Sequence, residues 1–101
     1  MYFKDSVRFK DAKQAIVFAA MVAEQVYTKY GYQFVVTSWN DSKHSARSLH
    51  YVDAAFDCRT RHLSLGHAQK IRNEIDNTLP DGFDVILEKD HIHIEADLKS
   101  H

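Results

Sequence analysis

The stretch GFDVILEKDHIHIEAD, residues 82–97, has the clearest strand pattern in the chain. Apolar residues largely alternate with polar ones in FDVILE (83–88) and again in HIHIEAD (91–97), as in strands that bury one face. Only Lys89 and Asp90 separate the two segments, which is the connection length of a tight hairpin. The stretch therefore predicts two antiparallel strands.

A helix is predicted near the start of the chain. Asp11 and Gln14 have the spacing of a capping box, and apolar residues then recur at three- and four-residue steps from Ala12 to Tyr30. Gly31 supplies a stop signal. This apolar stripe predicts a helix packed on the core.

The middle of the chain predicts two more strands and a second helix. YQFVVT (32–37) and DAAFDCR (53–59) are short and rich in apolar residues, whereas residues 38–49 are polar and predict a long loop. From about Ser64 to Leu79 an apolar face recurs at helical spacing, formed by Leu65, Ala68, Ile71, Ile75 and Leu79. The order of elements predicts an α+β fold, with two helices packed on a small, largely antiparallel sheet.

Composition limits the class of protein. The length of 101 residues predicts one domain (1–101), and the net charge of -1 argues against nucleic-acid binding. One cysteine, Cys58, excludes an internal disulfide, and its place in the strand predicts a buried thiol. The apolar run at 15–23 is too short to cross a bilayer, so no membrane insertion is expected. The charged residues 1–11 do not resemble a signal peptide, and synthesis in the cytoplasm is expected.

Strand alternation predicts a polar sheet face that carries candidate metal ligands. A two-residue turn would place Glu88 across from His91, on the same face as His93. Asp57 should likewise point away from the core. Imidazole nitrogens and carboxylate oxygens at short range suit zinc.

The residues alone leave another interpretation open. A solvated sheet face often carries histidine and glutamate, so His91 and His93 need not bind anything. His50 and Asp57 could equally lack a common partner. Three other histidines have no periodicity or motif spacing and are expected to be solvated: His62, His67 and His101.

SLHYVDAAFD (48–57) resembles the Ser-x-His-x-x-Gly-x-Ala-x-Asp signature of a zinc peptidase superfamily. That superfamily includes D-alanyl-D-alanine carboxypeptidases, phage peptidoglycan endopeptidases and the hedgehog N-terminal signalling domain. The matching positions are Ser48, His50, Ala55 and Asp57. Asp53 stands where the family usually has glycine.

The hedgehog domain is the most similar in its motifs. HSARSLHY (44–51) resembles its first motif, and GFDVILEKDHIHIE (82–95) resembles its Gly-Phe-Asp strand and His-Ile-His hairpin. VTSWNDS (36–42) is similar to a shortened form of the preceding strand and loop. The resemblance covers residues 36–95 and implies the hedgehog/D,D-peptidase fold.

The resemblance implies a role for individual residues. It implies a zinc ion bound by His50, Asp57 and His93, and Glu88 as the general base. The histidines beside the metal or on the oxyanion side would be His91 and His44, and Ser48 would contact substrate. Asp90, three residues before His93, has the spacing that many carboxypeptidases use for their base, and is the alternative to Glu88.

The implied function is a zinc metallopeptidase of bacterial or phage origin, similar to an endolysin. It would act at the cell wall on peptidoglycan stem peptides or D-Ala-D-Ala-type substrates, as a D,D-carboxypeptidase or endopeptidase. The alternatives are a hedgehog-like zinc-containing binding or virion module without catalysis, and a purely structural zinc site. Hedgehog's calcium-binding acids are mostly replaced, since Ser38 and Asn40 stand in their place. Neither Arg47 nor Arg59 clearly matches the family's substrate-binding arginine.

Overall fold

The computed structural model describes residues 12–40 and 54–96. In chain order the elements are α1 (Ala12–Lys29), β1 (Val36–Asn40), β2 (Ala54–Arg59), α2 (His67–Thr78), β3 (Phe83–Leu87) and β4 (His91–Ala96). The strands form one sheet in the order β1-β2-β4-β3, and every neighbouring pair is antiparallel. Both helices contribute to the apolar core on one side of this sheet. The predicted α+β class is confirmed.

Helix α1 buries the predicted apolar stripe and ends where the sequence indicated. Small residues such as Ala19 and Ala23 are fully buried and allow the helix to approach the sheet closely. At its end Gly31 has φ 84, a conformation that glycine adopts without steric cost. Gly31 N–H donates to Thr28 O at 2.9 Å and Tyr32 N–H to Tyr27 O at 2.9 Å, the two bonds of a Schellman motif.

The first strand lies later in the chain than predicted. The prediction placed it at 32–37, whereas β1 runs from Val36 to Asn40, so the predicted loop is wrong for residues 38–40. The physical reason is pairing: β1 is held by β2, with Val36 opposite Cys58 and Asn40 opposite Ala55. Residues 41–49 of that predicted loop lie outside the described residues.

Helix α2 is shorter than the predicted helix at its start. It begins at His67. The preceding residue, Gly66, has a φ of 87, which is a left-handed conformation, and the helix does not extend through it. Leu65 precedes the helix and is fully exposed, so its predicted place on the apolar face is wrong. Ile71 and Ile75 are buried as predicted. Arg72 of the same helix donates from Nε to Val85 O at 3.0 Å and covers part of the free edge of β3.

The C-terminal hairpin has the predicted register. Val85 lies opposite Ile94, and Leu87 lies opposite Ile92. The Glu88 N–H donates to His91 O at 2.8 Å and closes a two-residue turn. One face of the hairpin therefore points into the core, and the other points outward. Within residues 12–40 and 54–96, neither helix combines the length and apolar character that a membrane crossing requires.

Candidate metal centre

The sheet face opposite the helices carries a compact group of titratable side chains. We call this group the outer-face cluster; it consists of Asp57, Glu88, His91, His93 and Glu95. Their side chains are all partly exposed. Strand alternation produces this face, because Phe56 and Cys58 beside Asp57 are buried on the other side. The predicted outward orientation of the polar residues is confirmed.

Cross-strand pairing places Asp57 directly opposite His93, in the middle of the sheet. On the outer strands of the same row, Ser38 pairs with Asp57 and Ile86 pairs with His93. Directly opposite residues in antiparallel strands share a face, so these four side chains form one row. Ile86 is 50% exposed and adds an apolar side chain next to His93.

The imidazole of His93 lies between two carboxylates. Its Nδ1 is 2.8 Å from Asp57 Oδ1, and its Nε2 is 3.2 Å from Glu95 Oε1. Burial by itself lowers the pKa of His93, but the hydrogen bonds with Asp57 and Glu95 outweigh it and the pKa lies above its ordinary value. The metal-free ring is therefore stabilised in its charged form.

His91 is held by three acidic side chains. Its Nδ1 is 2.8 Å from Asp90 Oδ1, while its Nε2 is 3.3 Å from Glu88 Oε1 and 3.8 Å from Asp57 Oδ2. The hydrogen bond with Asp90 is the main cause that raises the pKa of His91, and the same bond lowers the pKa of Asp90. Asp90 thus contacts the ring nitrogen that faces away from the cluster, whereas Glu88 lies within it.

Two members of the outer-face cluster carry donor atoms of the types that zinc binds, which is one fewer than the three protein ligands of a catalytic zinc site. Asp57 and His93 offer one oxygen and one nitrogen in direct contact. Within the described residues no group of three or more histidine, cysteine, aspartate or glutamate side chains is arranged to hold a metal. The predicted third ligand, His50, lies outside the described residues, as do His44, Ser48 and Asp53.

Cys58 is excluded from the outer-face cluster by its orientation. It is fully buried on the helix side of the sheet, as predicted, with its Sγ 3.5 Å from Tyr27 Oη. Burial raises the pKa of the Cys58 thiol to about 11. A neutral thiol on the inner face cannot serve as a ligand on the outer one.

Two histidines that were predicted to be simply solvated make specific contacts. His67 Nδ1 is 2.5 Å from Tyr32 Oη, which also accepts a hydrogen bond from Ser64 N–H at 3.1 Å. His62 is exposed, but its Nε2 donates to Gln33 O at 2.7 Å. These bonds fix the segment after α1 against the start of α2. His62 is exposed as predicted, whereas His67 is half-buried, so the prediction of a solvated side chain is wrong for His67. His101 lies outside the described residues.

Glu95 is the member of the cluster that the sequence analysis left without a role. Its position two residues after His93 places it on the same strand face, next to the ring. That spacing was visible in the sequence, but the contact with Nε2 required the rotamers of both side chains.

Comparisons of the chain with protein families, with curated proteins and with solved structures find no match. The arguments for a function therefore rest on the motifs in the sequence and on the geometry of the outer-face cluster.

Proposed function

We propose that this protein is a zinc metallopeptidase that hydrolyses peptidoglycan stem peptides, as a D,D-carboxypeptidase or an endopeptidase. One observation carries the proposal: Asp57 and His93, 36 positions apart, meet on the outer face with 2.8 Å between Oδ1 and Nδ1. They are the candidate ligands that two separate motifs supplied. Glu88 and His91 lie beside them.

The residues that would hold the zinc are Asp57 and His93, together with His50. Asp57 and His93 are anchored on the two central strands of the sheet, so the backbone fixes their separation. When bound, the zinc ion acts as a Lewis acid and lowers the pKa of a coordinated water to about 7.

Glu88 is the proposed general base. Its carboxylate is half-exposed at the end of β3 and lies 3.3 Å from His91 Nε2, so it faces the cluster and can reach solvent. A carboxylate in this position can accept a proton from the attacking water and pass it to the leaving amine. Asp90 is bonded to the far nitrogen of His91, which favours an orienting role over that of base.

His91 is the proposed donor to the oxyanion that forms at the scissile carbonyl. Asp90 holds its Nδ1, and its Nε2 therefore points towards Glu88 and Asp57. With Asp90 bonded to Nδ1, Nε2 carries a proton in the charged ring, and the hydrogen bond with Asp90 favours that form because it raises the pKa of His91. An N–H group fixed beside the reacting carbon stabilises the tetrahedral intermediate, typically by about 3 kcal/mol. The outer face thus offers ligands, a base and a hydrogen-bond donor within one small area.

The test is release of stem peptides from purified peptidoglycan by the zinc-loaded protein and its Glu88→Gln, Asp90→Asn and Asp84→Asn variants. We expect Glu88→Gln to keep zinc and lose at least about 100-fold in rate, because general acid–base catalysis contributes that much. Asp84→Asn is the matched control, since Asp84 is an exposed acid of β3 outside the cluster.

Each other outcome changes the proposal in a defined way. Activity that survives Glu88→Gln but disappears in Asp90→Asn would transfer the role of base to Asp90. Zinc binding by the parent protein with no release of any fragment would contradict the peptidase and favour the zinc-containing binding module. A parent protein that binds no zinc would contradict both functions.

A further inference from the structure

We infer that Glu95 is a positioning residue for His93 and selects the ring nitrogen that is available to a metal ion. The inference rests on the proposed zinc site and deepens it. Neither sequence motif assigns a role to Glu95. Its evidence is the contact of 3.2 Å between Glu95 Oε1 and His93 Nε2 on the outer face.

The orientation of the His93 ring determines which nitrogen can face a shared ion. Nδ1 is the atom that lies against Asp57, at 2.8 Å from Oδ1, and Nε2 points along the strand towards Glu95. If Asp57 and His93 bind the same ion, Nδ1 must present its lone pair to it. A neutral imidazole has a single N–H, which must then be on Nε2 and needs an acceptor. Glu95 is that acceptor.

Asp57 by itself would favour the wrong tautomer. A carboxylate next to Nδ1 accepts a hydrogen bond, and it therefore stabilises the form of His93 in which Nδ1 carries the proton. Glu95 acts in the opposite direction because it stabilises the proton on Nε2. Metal-bound histidines generally donate their second N–H to a carboxylate or carbonyl in this way, and loss of that partner typically weakens metal binding about 10–100-fold.

The residues opposite Glu95 on the neighbouring strands leave space for its side chain and offer it no hydrogen-bond donor in their side chains. It lies opposite the small residue Ala55 on β2 and opposite Asp84 on β3. Within residues 12–40 and 54–96, the hydrogen-bond and ion-pair partner of its side chain is His93. No lysine or arginine of those residues pairs with it, and its carboxylate contacts the ring of His93.

The first measurement is zinc affinity, by competition with a chromophoric chelator, for the parent protein and three variants. We expect Glu95→Ala to weaken zinc binding about 10–100-fold. Glu95→Gln should lose less, because its amide oxygen can still accept from Nε2–H. Asp84→Ala is the control for loss of a negative charge at the neighbouring position and should bind zinc like the parent. Thermal unfolding of the metal-free variants confirms that each one is folded.

The second measurement is independent of affinity and of activity. Side-chain ¹H–¹⁵N spectra of the zinc-loaded parent should show His93 with a protonated Nε2 and a metal-bound Nδ1. In Glu95→Ala the signal of that ring should shift or broaden, and in Asp84→Ala it should not.

Two results would overturn the inference and leave the proposed function standing. One is equal zinc affinity in the parent and Glu95→Ala; the other is coordination of the metal through Nε2 of His93. A parent protein that binds no zinc would remove the proposed function itself, and the role of Glu95 with it.

Discussion

The two faces of the sheet are built from the same strands and have opposite properties. On the inner face, residues such as Phe56, Ile92 and Ile94 are buried beneath the helices. On the outer face, the alternate residues Asp57 and His93 are partly exposed and bind each other. The inner face holds the protein together through apolar burial. The outer face concentrates titratable groups whose partly exposed contacts contribute little to stability. The proposed function assigns binding and catalysis to these groups.

Truncation of the inner face should have the largest effect. Phe56 is 1% exposed, and its ring packs against Trp39 and Phe34 at centroid distances of 5.5 Å and 6.1 Å. We expect Phe56→Ala to lower the free energy of unfolding by about 3–5 kcal/mol, because it removes buried area and leaves a cavity. Urea denaturation of the metal-free protein measures this change.

Truncation of the outer face is the matched comparison. His91→Ala removes a partly exposed ring on the neighbouring strand and should change the free energy of unfolding by less than about 1 kcal/mol. A comparable loss from both substitutions would show that the outer face also carries the stability of the fold.

Alkaline pH should have the second largest effect, and it should act on the inner face. Burial raises the pKa of Cys58 from 9.0 to about 11 and also raises the pKa of Tyr27. Because the folded state holds the thiol neutral, its contribution is complete below pH 9, where the unfolded thiol begins to ionise. The contribution falls as the pH rises from about 9 to 11, by roughly 2–3 kcal/mol for Cys58.

Unfolding free energies measured from pH 7 to 11 test this prediction, with Cys58→Ala as the control. The variant should lose less stability at high pH than the parent. The loss that remains should come from Tyr27, Tyr30 and Lys29, whose pKa values are also raised in the folded state. Equal pH dependence in the two proteins would mean that Cys58 is not held neutral by the fold.

The contribution of the outer face to the free energy of unfolding should change between pH 6 and pH 8 rather than at alkaline pH, and by a smaller amount. The pKa values of His91 and His93 are raised by their acidic partners, which for His91 are Asp90, Asp57 and Glu88. A raised histidine pKa stabilises the fold below the unfolded value of 6.5, and this contribution is lost as the pH rises through the folded value. The metal-free protein should therefore be slightly less stable at pH 8 than at pH 6.

Zinc should reverse that slope if the proposed site is correct, since metal and protons compete for the same histidine. Thermal unfolding with and without zinc at pH 6 and pH 8 measures both trends. A stabilisation by zinc that is larger at pH 6 than at pH 8 would contradict a site that includes His93.

Local pattern predicted the hairpin and much of the cluster, but not the first strand. Lys89 and Asp90 define a short turn, so the positions of Glu88, His91 and His93 on one face follow from neighbours in sequence. The first strand was predicted too early, because apolar residues at 32–35 resemble a strand although the residue pairs with β2 begin at Val36, opposite Cys58.

The sequence by itself determined the elements whose signals are local: the stripe of α1, its end at Gly31, the hairpin turn and the alternation that divides each strand between two faces. The tertiary structure decided which strands are neighbours. It placed β2 beside β4 with Asp57 opposite His93, and it directed Glu95 at the second nitrogen of that ring. The reason is that pairing between segments 36 residues apart depends on how the helices and the whole sheet pack, which no short stretch encodes.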